Sequence, residues 1–98
     1  MKARYSKRAI QDLLSIADYM RDRNPQASLA IEQRIRSAVR QLELFPFIGR
    51  TTDDPEIRVL PVVHYPYLIF YEVLQDELVI HHIRHGRRAP PEPADTRS

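Results

Sequence analysis

The spacing of apolar residues changes once along the chain, and this change limits the folds that the chain can adopt. Between residues 10 and 42 apolar side chains recur every three or four positions, which is the period of an amphipathic α-helix. After residue 56 they form short runs rich in Val, Ile and aromatic residues, which is typical of β-strands. The segment between them, residues 45–55, contains two prolines, a glycine and an Asp pair, so it is predicted to be a loop. The sequence therefore predicts an α+β fold in which helices precede a sheet.

Two helices are predicted in the first half of the chain. Ser6 is a good N-cap residue, and an apolar stripe follows it at helical spacing. Asn24-Pro25 is predicted to end this helix and to begin the next, because the residue before a proline avoids the helical conformation and proline suits the first helical position. The two stripes consist of Ile10, Leu13, Leu14, Ala17 and Met20, and of Ile31, Ile35, Ala38, Val39 and Leu42. Two amphipathic helices with so short a link are expected to form an antiparallel hairpin.

Three strands are predicted in the second half, at residues 56–64, 67–74 and 78–85, and their short spacing is typical of an antiparallel meander. Pro61 lies inside the first of them and predicts an edge strand or a bulge, because proline has no N–H to donate to a β-ladder. A further apolar-alternating segment, residues 2–5, precedes the first helix. The second strand of the meander is almost continuously apolar. This favours burial on both faces, with the helices on one side and a partner or a concave site on the other.

The chain has the size and composition of one globular domain, with 98 residues of which 43% are hydrophobic and 29% charged, and this excludes a large multi-step enzyme. We expect residues 1–88 to form the domain and residues 89–98, with three prolines and no periodicity, to be a flexible tail. The absence of cysteine excludes a disulfide framework and a cysteine nucleophile. No apolar run approaches the roughly 18 residues needed to cross a bilayer, and residues 1–4 lead into a charged segment. We therefore expect a cytoplasmic protein without membrane contact.

The four histidines do not predict a metal site. His81 and His85 share a face of the third predicted strand but are about 13 Å apart at about 3.3 Å per residue, and His82 points to the opposite face. The chain has only two glycines, too few for a phosphate-binding loop, and no glycine-flanked nucleophile. We predict neither a metal nor another cofactor.

Basic residues are unevenly distributed along the chain. Residues 1–50 carry 10 Lys and Arg against 5 Asp and Glu, whereas residues 51–98 carry 5 against 8. The densest basic run, Arg84-His85-Gly86-Arg87-Arg88, nevertheless lies in the acidic half, and Arg50 and Arg58 could approach it if their segments are neighbours. Such a cluster suits a phosphate backbone or a transition-state charge. A solvated strand end is the alternative interpretation.

Three tyrosines, Tyr65, Tyr67 and Tyr71, lie in or beside the second predicted strand. Tyr67 and Tyr71 share a strand face by alternation. They are either core residues or part of a surface on which a base or a peptide stacks.

Four motifs occur in order on these elements: Ser6-x-x-Ala9-x-x-Asp12-Leu13, Pro46-x-x-Gly49-Arg50, Tyr65-Pro66-Tyr67-Leu68-Ile69-Phe70-Tyr71 and Ile83-Arg84-His85-Gly86-Arg87-Arg88. Together they resemble the RelE/ParE superfamily of toxins from bacterial type II toxin–antitoxin modules, on its ParE side, from about residue 3 to residue 90. The resemblance implies an α+β fold of order β-α-α-β-β-β. In this fold the helix hairpin packs on a twisted antiparallel sheet that includes the N-terminal strand.

The resemblance also implies a function. ParE-like toxins bind DNA gyrase and trap it on cleaved DNA without covalent chemistry of their own, and a cognate antitoxin neutralises them in a hetero-oligomer. RelE-like toxins instead cut mRNA on the ribosome, and a module that is non-toxic, degenerate or only able to bind an antitoxin is the third alternative. The chain ends its last strand with the His-Gly-Arg-Arg sequence of ParE-like members and has no tyrosine after it, so gyrase inhibition is the leading hypothesis.

Roles for individual residues follow from the same resemblance. The residues expected to contact gyrase or DNA are Arg50, Arg58, Arg84, His85, Arg87 and Arg88. In an RNA endonuclease, Arg58 and Arg84 would be the basic residues and His85 the general acid or base. The antitoxin is expected to bind by strand addition and by a helix in a groove, at Leu14, Tyr67 and Tyr71.

Overall fold

Two helices cover one face of a five-stranded sheet. The computed structural model describes residues 1–86, with elements in the order β1 (Lys2–Tyr5), α1 (Lys7–Arg23), α2 (Pro25–Leu44), β2 (Arg50–Thr51), β3 (Arg58–Pro61), β4 (Tyr67–Val73) and β5 (Glu77–His85). The strands lie in the sheet order β1-β5-β4-β3-β2. The predicted α+β class, the pair of helices and the N-terminal strand are confirmed. The predicted boundary after residue 88 and the tail 89–98 lie outside the described residues.

One pairing in the sheet differs from the prediction. β1 lies parallel to β5, with Lys2 opposite Glu77 and Tyr5 opposite Ile80, whereas the other pairs are antiparallel. The sheet is therefore mixed and not antiparallel throughout. A parallel pair needs a long crossover connection, and the two helices supply one between β1 and the rest of the sheet.

The predicted loop at residues 45–55 contains a short strand, β2, which pairs with Arg58 and Val59 of β3. A strand of two residues is too short for its alternation to be recognised in a sequence. β3 is thus not an edge strand over its whole length, but Pro61 lies beyond the residues that pair with β2. At Pro61 the strand has a neighbour on one side only, so the predicted edge position of this proline is confirmed.

Local signals in the sequence place both helices. The Ser6 side chain accepts the Ala9 N–H at 3.0 Å and caps α1. The Asn24 N–H donates to a carbonyl of the last turn of α1 at 2.7 Å, while its side chain accepts the Ala27 N–H at 3.1 Å and caps α2. Pro25 follows at the first helical position. One residue therefore ends the first helix and starts the second, as predicted.

The core lies between the helices and the sheet. Its largest fully buried side chains are Tyr71, Ile35, Leu42, Ile69, Leu78, Ile80 and Ile83. The predicted stripe of α2 is buried throughout, but on α1 Ile10 and Leu14 remain 48% and 57% exposed. The α1 stripe is thus only partly used by the core and leaves apolar surface between the helices. In the described part of the chain, no helix is both long and apolar enough to cross a membrane.

α1 completes the hydrogen bonding of β5, because β1 pairs with this strand only as far as Ile80. Beyond that point the Ser6 hydroxyl donates to the His81 carbonyl at 2.9 Å, and the Asp12 carboxylate accepts the Ile83 N–H at 2.9 Å. Two residues of the first motif therefore satisfy backbone groups of a strand edge that would otherwise be open.

A bulge in β5 changes the faces that the histidines occupy. The register between β4 and β5 shifts at Phe70, which leaves His81 as an extra residue. Past the bulge, His82 shares a face with Phe70, and His85 lies on the face covered by the helices. His81 contacts a carboxylate on the uncovered face. The prediction that His81 and His85 share a face is therefore wrong, because an extra residue shifts the alternation. Within residues 1–86, no group of three His, Cys, Asp or Glu side chains could hold a metal ion.

Candidate functional site

The sheet has a second face, which the helices leave uncovered. In β4, alternate residues belong to the core and the others point away from it, as strand geometry requires. A row of directly paired residues crosses the uncovered face from β2 to β5 and consists of Arg50, Val59, Phe70 and His82. The guanidinium of Arg84 lies 5.0 Å from the centroid of the Phe70 ring. We call these five residues the outer-face cluster.

α1 holds the histidine of this cluster in place. The His82 ring stacks on Phe70 with centroids 5.8 Å apart and planes inclined by 25°. Its Nδ1 lies 2.7 Å from Asp12 Oδ2, and because a carboxylate only accepts, Nδ1 carries the hydrogen. Arg8 Nη2 lies 3.4 Å from Nε2, the remaining acceptor of the ring. Asp12 thus fixes both the orientation and the tautomer of His82.

The charges around the outer-face cluster favour an anionic partner. Arg50 and Arg84 are joined there by Arg8 of α1, which also lies 3.5 Å from Asp12. The two nearby carboxylates already accept from imidazoles, Asp12 from His82 at 2.7 Å and Glu72 from His81 at 2.8 Å. Guanidinium groups bind phosphate and carboxylate groups in two-point contacts. The uncovered face therefore combines aromatic surface with a basic rim.

The loop before β2 is attached to the sheet by Tyr71. Its buried hydroxyl donates to the Pro46 carbonyl at 2.8 Å and accepts the Gly49 N–H at 2.9 Å. Burial raises the pKa of Tyr71, while the Gly49 N–H and Arg58 oppose the shift, so the phenol keeps the proton that it donates. A Cβ at Gly49 would lie 2.5 Å from this hydroxyl, which explains glycine at that position. The Pro46-x-x-Gly49-Arg50 motif thus positions Arg50 at the start of β2.

Arg58 belongs to this loop attachment and not to the outer-face cluster. It lies opposite Tyr71, on the helix-covered side of the sheet. Its Nη1 donates to the carbonyl groups of Gly49 at 2.8 Å and Phe47 at 3.3 Å, and its guanidinium lies 5.0 Å from the Phe47 ring centroid. The structure therefore does not form the predicted cluster of Arg58 with the basic run at the end of β5.

The three residues predicted for RNA cleavage also fail to converge. Arg84 points to the uncovered face, whereas Arg58 and His85 lie on the covered one. His85 packs against the edge of the Tyr67 ring, with centroids 5.4 Å apart. Because Tyr67 and Tyr71 are four residues apart, about 13 Å of strand separates the positions of His85 and Arg58. Of the predicted target-binding residues the structure places Arg50 and Arg84 on the same uncovered face, in β2 and β5. The predicted residues Arg87 and Arg88 lie outside the described part of the chain.

An apolar groove of about 470 Å³ lies between α1 and α2. Its lining includes Ile10, Leu13, Leu14, Ala17, Ile31 and Ile35, and the Glu32–Arg36 ion pair lies at its rim with a separation of 3.1 Å. Leu14, one of the residues predicted to bind an antitoxin, is therefore at an open apolar surface. A groove of this kind can accept the apolar side of an amphipathic helix.

The other two residues predicted for antitoxin binding are core residues. Tyr67 is 7% exposed and Tyr71 fully buried, because both point toward the helices. A partner cannot contact Tyr71 unless the core opens, whereas Tyr67 also lines a surface pocket beside Tyr65 and Pro66. The alternative interpretation as core therefore applies to Tyr71 and to most of the Tyr67 side chain. Sequence reasoning missed the aromatic contribution of Phe70, although its alternation with Tyr71 already placed it on the other face. It also missed Asp12 as a contact of His82, since no local pattern links residues so far apart.

Comparisons with known proteins agree with this fold. A family model described as the ParE toxin of type II toxin–antitoxin system, parDE, matches residues 3–90. A solved structure described as a chromosomal ParDE TA system from P. aeruginosa is 25% identical in sequence, with a TM-score of 0.79 over 87% of this chain and 95% of that chain. None of the curated proteins compared with the chain matches it. Since the family match spans nearly the whole sequence, the chain belongs to the ParE toxin family of type II toxin–antitoxin systems.

Proposed function

We propose that the protein acts in the cytoplasm as a toxin that inhibits DNA gyrase, and that a cognate antitoxin neutralises it by binding. The observation that carries the proposal is the outer-face cluster, which presents two arginines and two stacked rings on a rigid sheet. Arginine and aromatic residues are enriched where interfaces gain most of their binding energy. The separation of Arg58, Arg84 and His85 favours binding over acid–base catalysis. A general acid or base must lie within hydrogen-bond reach of the group whose proton it transfers, and residues on opposite faces of the sheet do not reach one such group together.

The target contact follows from the chemistry of the cluster. Arg50 and Arg84 would bind phosphate groups of gyrase-bound DNA or carboxylates of gyrase, and the Phe70–His82 pair would supply a flat surface between them. Arg87 and Arg88 follow β5 in the sequence and stay in the proposal as further cations. By this mechanism the toxin stabilises gyrase on cleaved DNA, and the broken DNA ends remain bound to the enzyme.

The antitoxin contact is proposed at the groove between α1 and α2. An apolar helix side placed there would cover Ile10 and Leu14, which are about half exposed. Complete burial of a fully exposed side chain of this kind contributes about 1.5–3 kcal/mol. Because Ile10 and Leu14 are already about half buried, docking would add roughly half of that amount at each residue. The solved ParDE relative is described as a toxin–antitoxin system, which supports a toxin–antitoxin hetero-oligomer here as well.

A DNA cleavage assay tests the proposal. Purified protein, gyrase and supercoiled plasmid are incubated and then treated with detergent and protease, and linear DNA is quantified. We expect linear DNA to increase with wild-type protein and to fall at least tenfold with Arg50→Ala or Arg84→Ala. Arg34→Ala, at an exposed arginine of α2 outside the cluster, is the matched control. If gyrase is unaffected while a translating extract shows mRNA cuts at codon positions, the protein is an endoribonuclease and the gyrase proposal is wrong.

A further inference from the structure

Four apolar side chains within residues 44–48, at the end of α2 and in the loop after it, face the solvent. Leu44 is 69% exposed, Phe45 57%, Phe47 64% and Ile48 43%. A buried aromatic side chain covers about 150–250 Å², so each of these phenylalanines exposes on the order of 100 Å². The largest apolar patch on a typical monomeric protein is roughly 300–600 Å² and often has a function, and these four side chains together expose an area on the order of this size. We call these four residues the loop patch.

The loop that carries the patch is held rigidly at its backbone. The Phe45 N–H donates to the last turn of α2 at 2.8 Å, and the Ile48 N–H donates to the Phe45 carbonyl at 3.3 Å. Tyr71 bonds two more backbone groups of residues 45–49, and Arg58 bonds another two. The loop is therefore fixed in a conformation that turns its apolar side chains outward. A surface fixed in advance loses little conformational entropy on binding.

The surroundings of the loop patch are basic. Arg40 lies one helical turn before Leu44 and is exposed, and Arg50 follows the loop in β2. The guanidinium of Arg58 lies over the Phe47 ring. The carboxylate nearest in sequence, Glu43, is already engaged, since its Oε2 accepts the Ala3 N–H at 2.7 Å. A complementary partner would thus be apolar at the centre of the contact and acidic at its rim.

We propose that the loop patch anchors this toxin to the protein part of gyrase, in an apolar pocket whose rim carries carboxylates. The inference rests on the proposed function and adds a second element to it. Two of the four side chains are aliphatic and offer no stacking face to DNA bases, so a protein pocket fits the patch better than a nucleic acid does. Arg50 follows the patch closely in the chain, lies in the edge strand β2 and belongs to the outer-face cluster. A gyrase surface that extends around this sheet edge would therefore contact both the patch and the cluster.

The test measures binding of the full-length toxin to purified gyrase without DNA, by calorimetry or surface plasmon resonance. We expect Phe47→Ala and Phe45→Ala to weaken this binding at least tenfold. Leu29→Ala is the matched control, because Leu29 is similarly exposed at 58% and lies on α2 away from the patch. Circular dichroism and the affinity for the antitoxin should be unchanged in all three variants, since none of the replaced side chains is buried.

The outcomes separate the two proposals. If wild-type toxin does not bind gyrase with or without DNA, the proposed function fails. If wild-type toxin binds gyrase and both phenylalanine variants bind equally well, the function stands and the patch proposal is overturned. The patch proposal is also overturned if the phenylalanine variants lose affinity for the antitoxin, or for a DNA duplex alone, while their affinity for gyrase is unchanged.

Discussion

Tyr71→Phe isolates the contribution of the hydroxyl that attaches the loop before β2 to the sheet. The ring is fully buried, so phenylalanine keeps its packing and leaves space for only one oxygen atom. What the variant loses is the bond to the Pro46 carbonyl at 2.8 Å and the bond from the Gly49 N–H at 2.9 Å. The Gly49 N–H then stays in a buried position without an acceptor.

We expect Tyr71→Phe to lower the free energy of unfolding by about 2 kcal/mol. A hydrogen bond contributes about 1 kcal/mol net, and a buried donor without a partner costs about 1–3 kcal/mol. For a chain of this size the loss corresponds to a fall in Tm of roughly 10 °C. Urea unfolding followed by circular dichroism measures it, and the dependence on urea concentration should keep its slope because the fold is unchanged.

Tyr65→Phe is the matched control, since the Tyr65 hydroxyl has no hydrogen-bond partner in the part of the chain that the structure describes. Its effect should stay within about 0.5 kcal/mol. Gly49→Ala provides an independent check: the added Cβ would lie 2.5 Å from the Tyr71 hydroxyl, so it should displace the same bond, and the double variant should cost less than the sum of the single ones. Equal unfolding midpoints for Tyr71→Phe and Tyr65→Phe would refute the attachment of the loop by Tyr71.

Three further predictions concern other parts of the molecule. Burial raises the pKa of Tyr5 and Tyr71 above the ordinary value, which favours the neutral phenols in the folded state. The free energy of unfolding should therefore be complete below about pH 10 and fall as the pH rises through the folded pKa values. An unfolding midpoint that stays constant from about pH 9 to 12 would contradict this. Asp12→Asn should lower the free energy of unfolding by about 1–2 kcal/mol, because one of the two donors, His82 Nδ1–H and the Ile83 N–H, loses its acceptor. The exposed control Asp18→Asn should lower it by under about 0.5 kcal/mol in the same urea assay. Equal effects of the two substitutions would exclude the role of Asp12 in holding β5. Leu14→Glu should leave the fold intact and weaken antitoxin binding at least tenfold in a titration, and normal binding would place the antitoxin elsewhere.

The sequence predicted the parts of the fold that depend on neighbouring residues. Ser6 and Asn24 bond backbone groups three residues away, so their capping is visible in a short window. The bulge at His81 depends on the register between two strands, which no short window contains. A shift of one residue exchanges the faces of a strand. Alternation alone predicts that the neighbours Arg84 and His85 lie on opposite faces. The separation of His81 from His85 by the bulge, and the position of Arg58 on the face opposite Arg84, depend on pairing between strands and could not be predicted from spacing.

The groove and the outer-face cluster lie on opposite sides of the sheet, and this separation constrains how neutralisation could work. An antitoxin helix that fills the groove over Leu14 covers neither Arg50 nor Arg84. To block the target contact, the antitoxin must either extend around the sheet edge to the outer face or act through α1, which contributes Leu14 to the groove and Asp12 to the His82 contact. The two routes differ in the behaviour of Asp12→Asn. Blocking by extension does not require the Asp12–His82 bond, so the antitoxin should neutralise the variant as well as it does the wild type. Action through α1 does require this bond, and the variant toxin would then bind the antitoxin and remain active on gyrase.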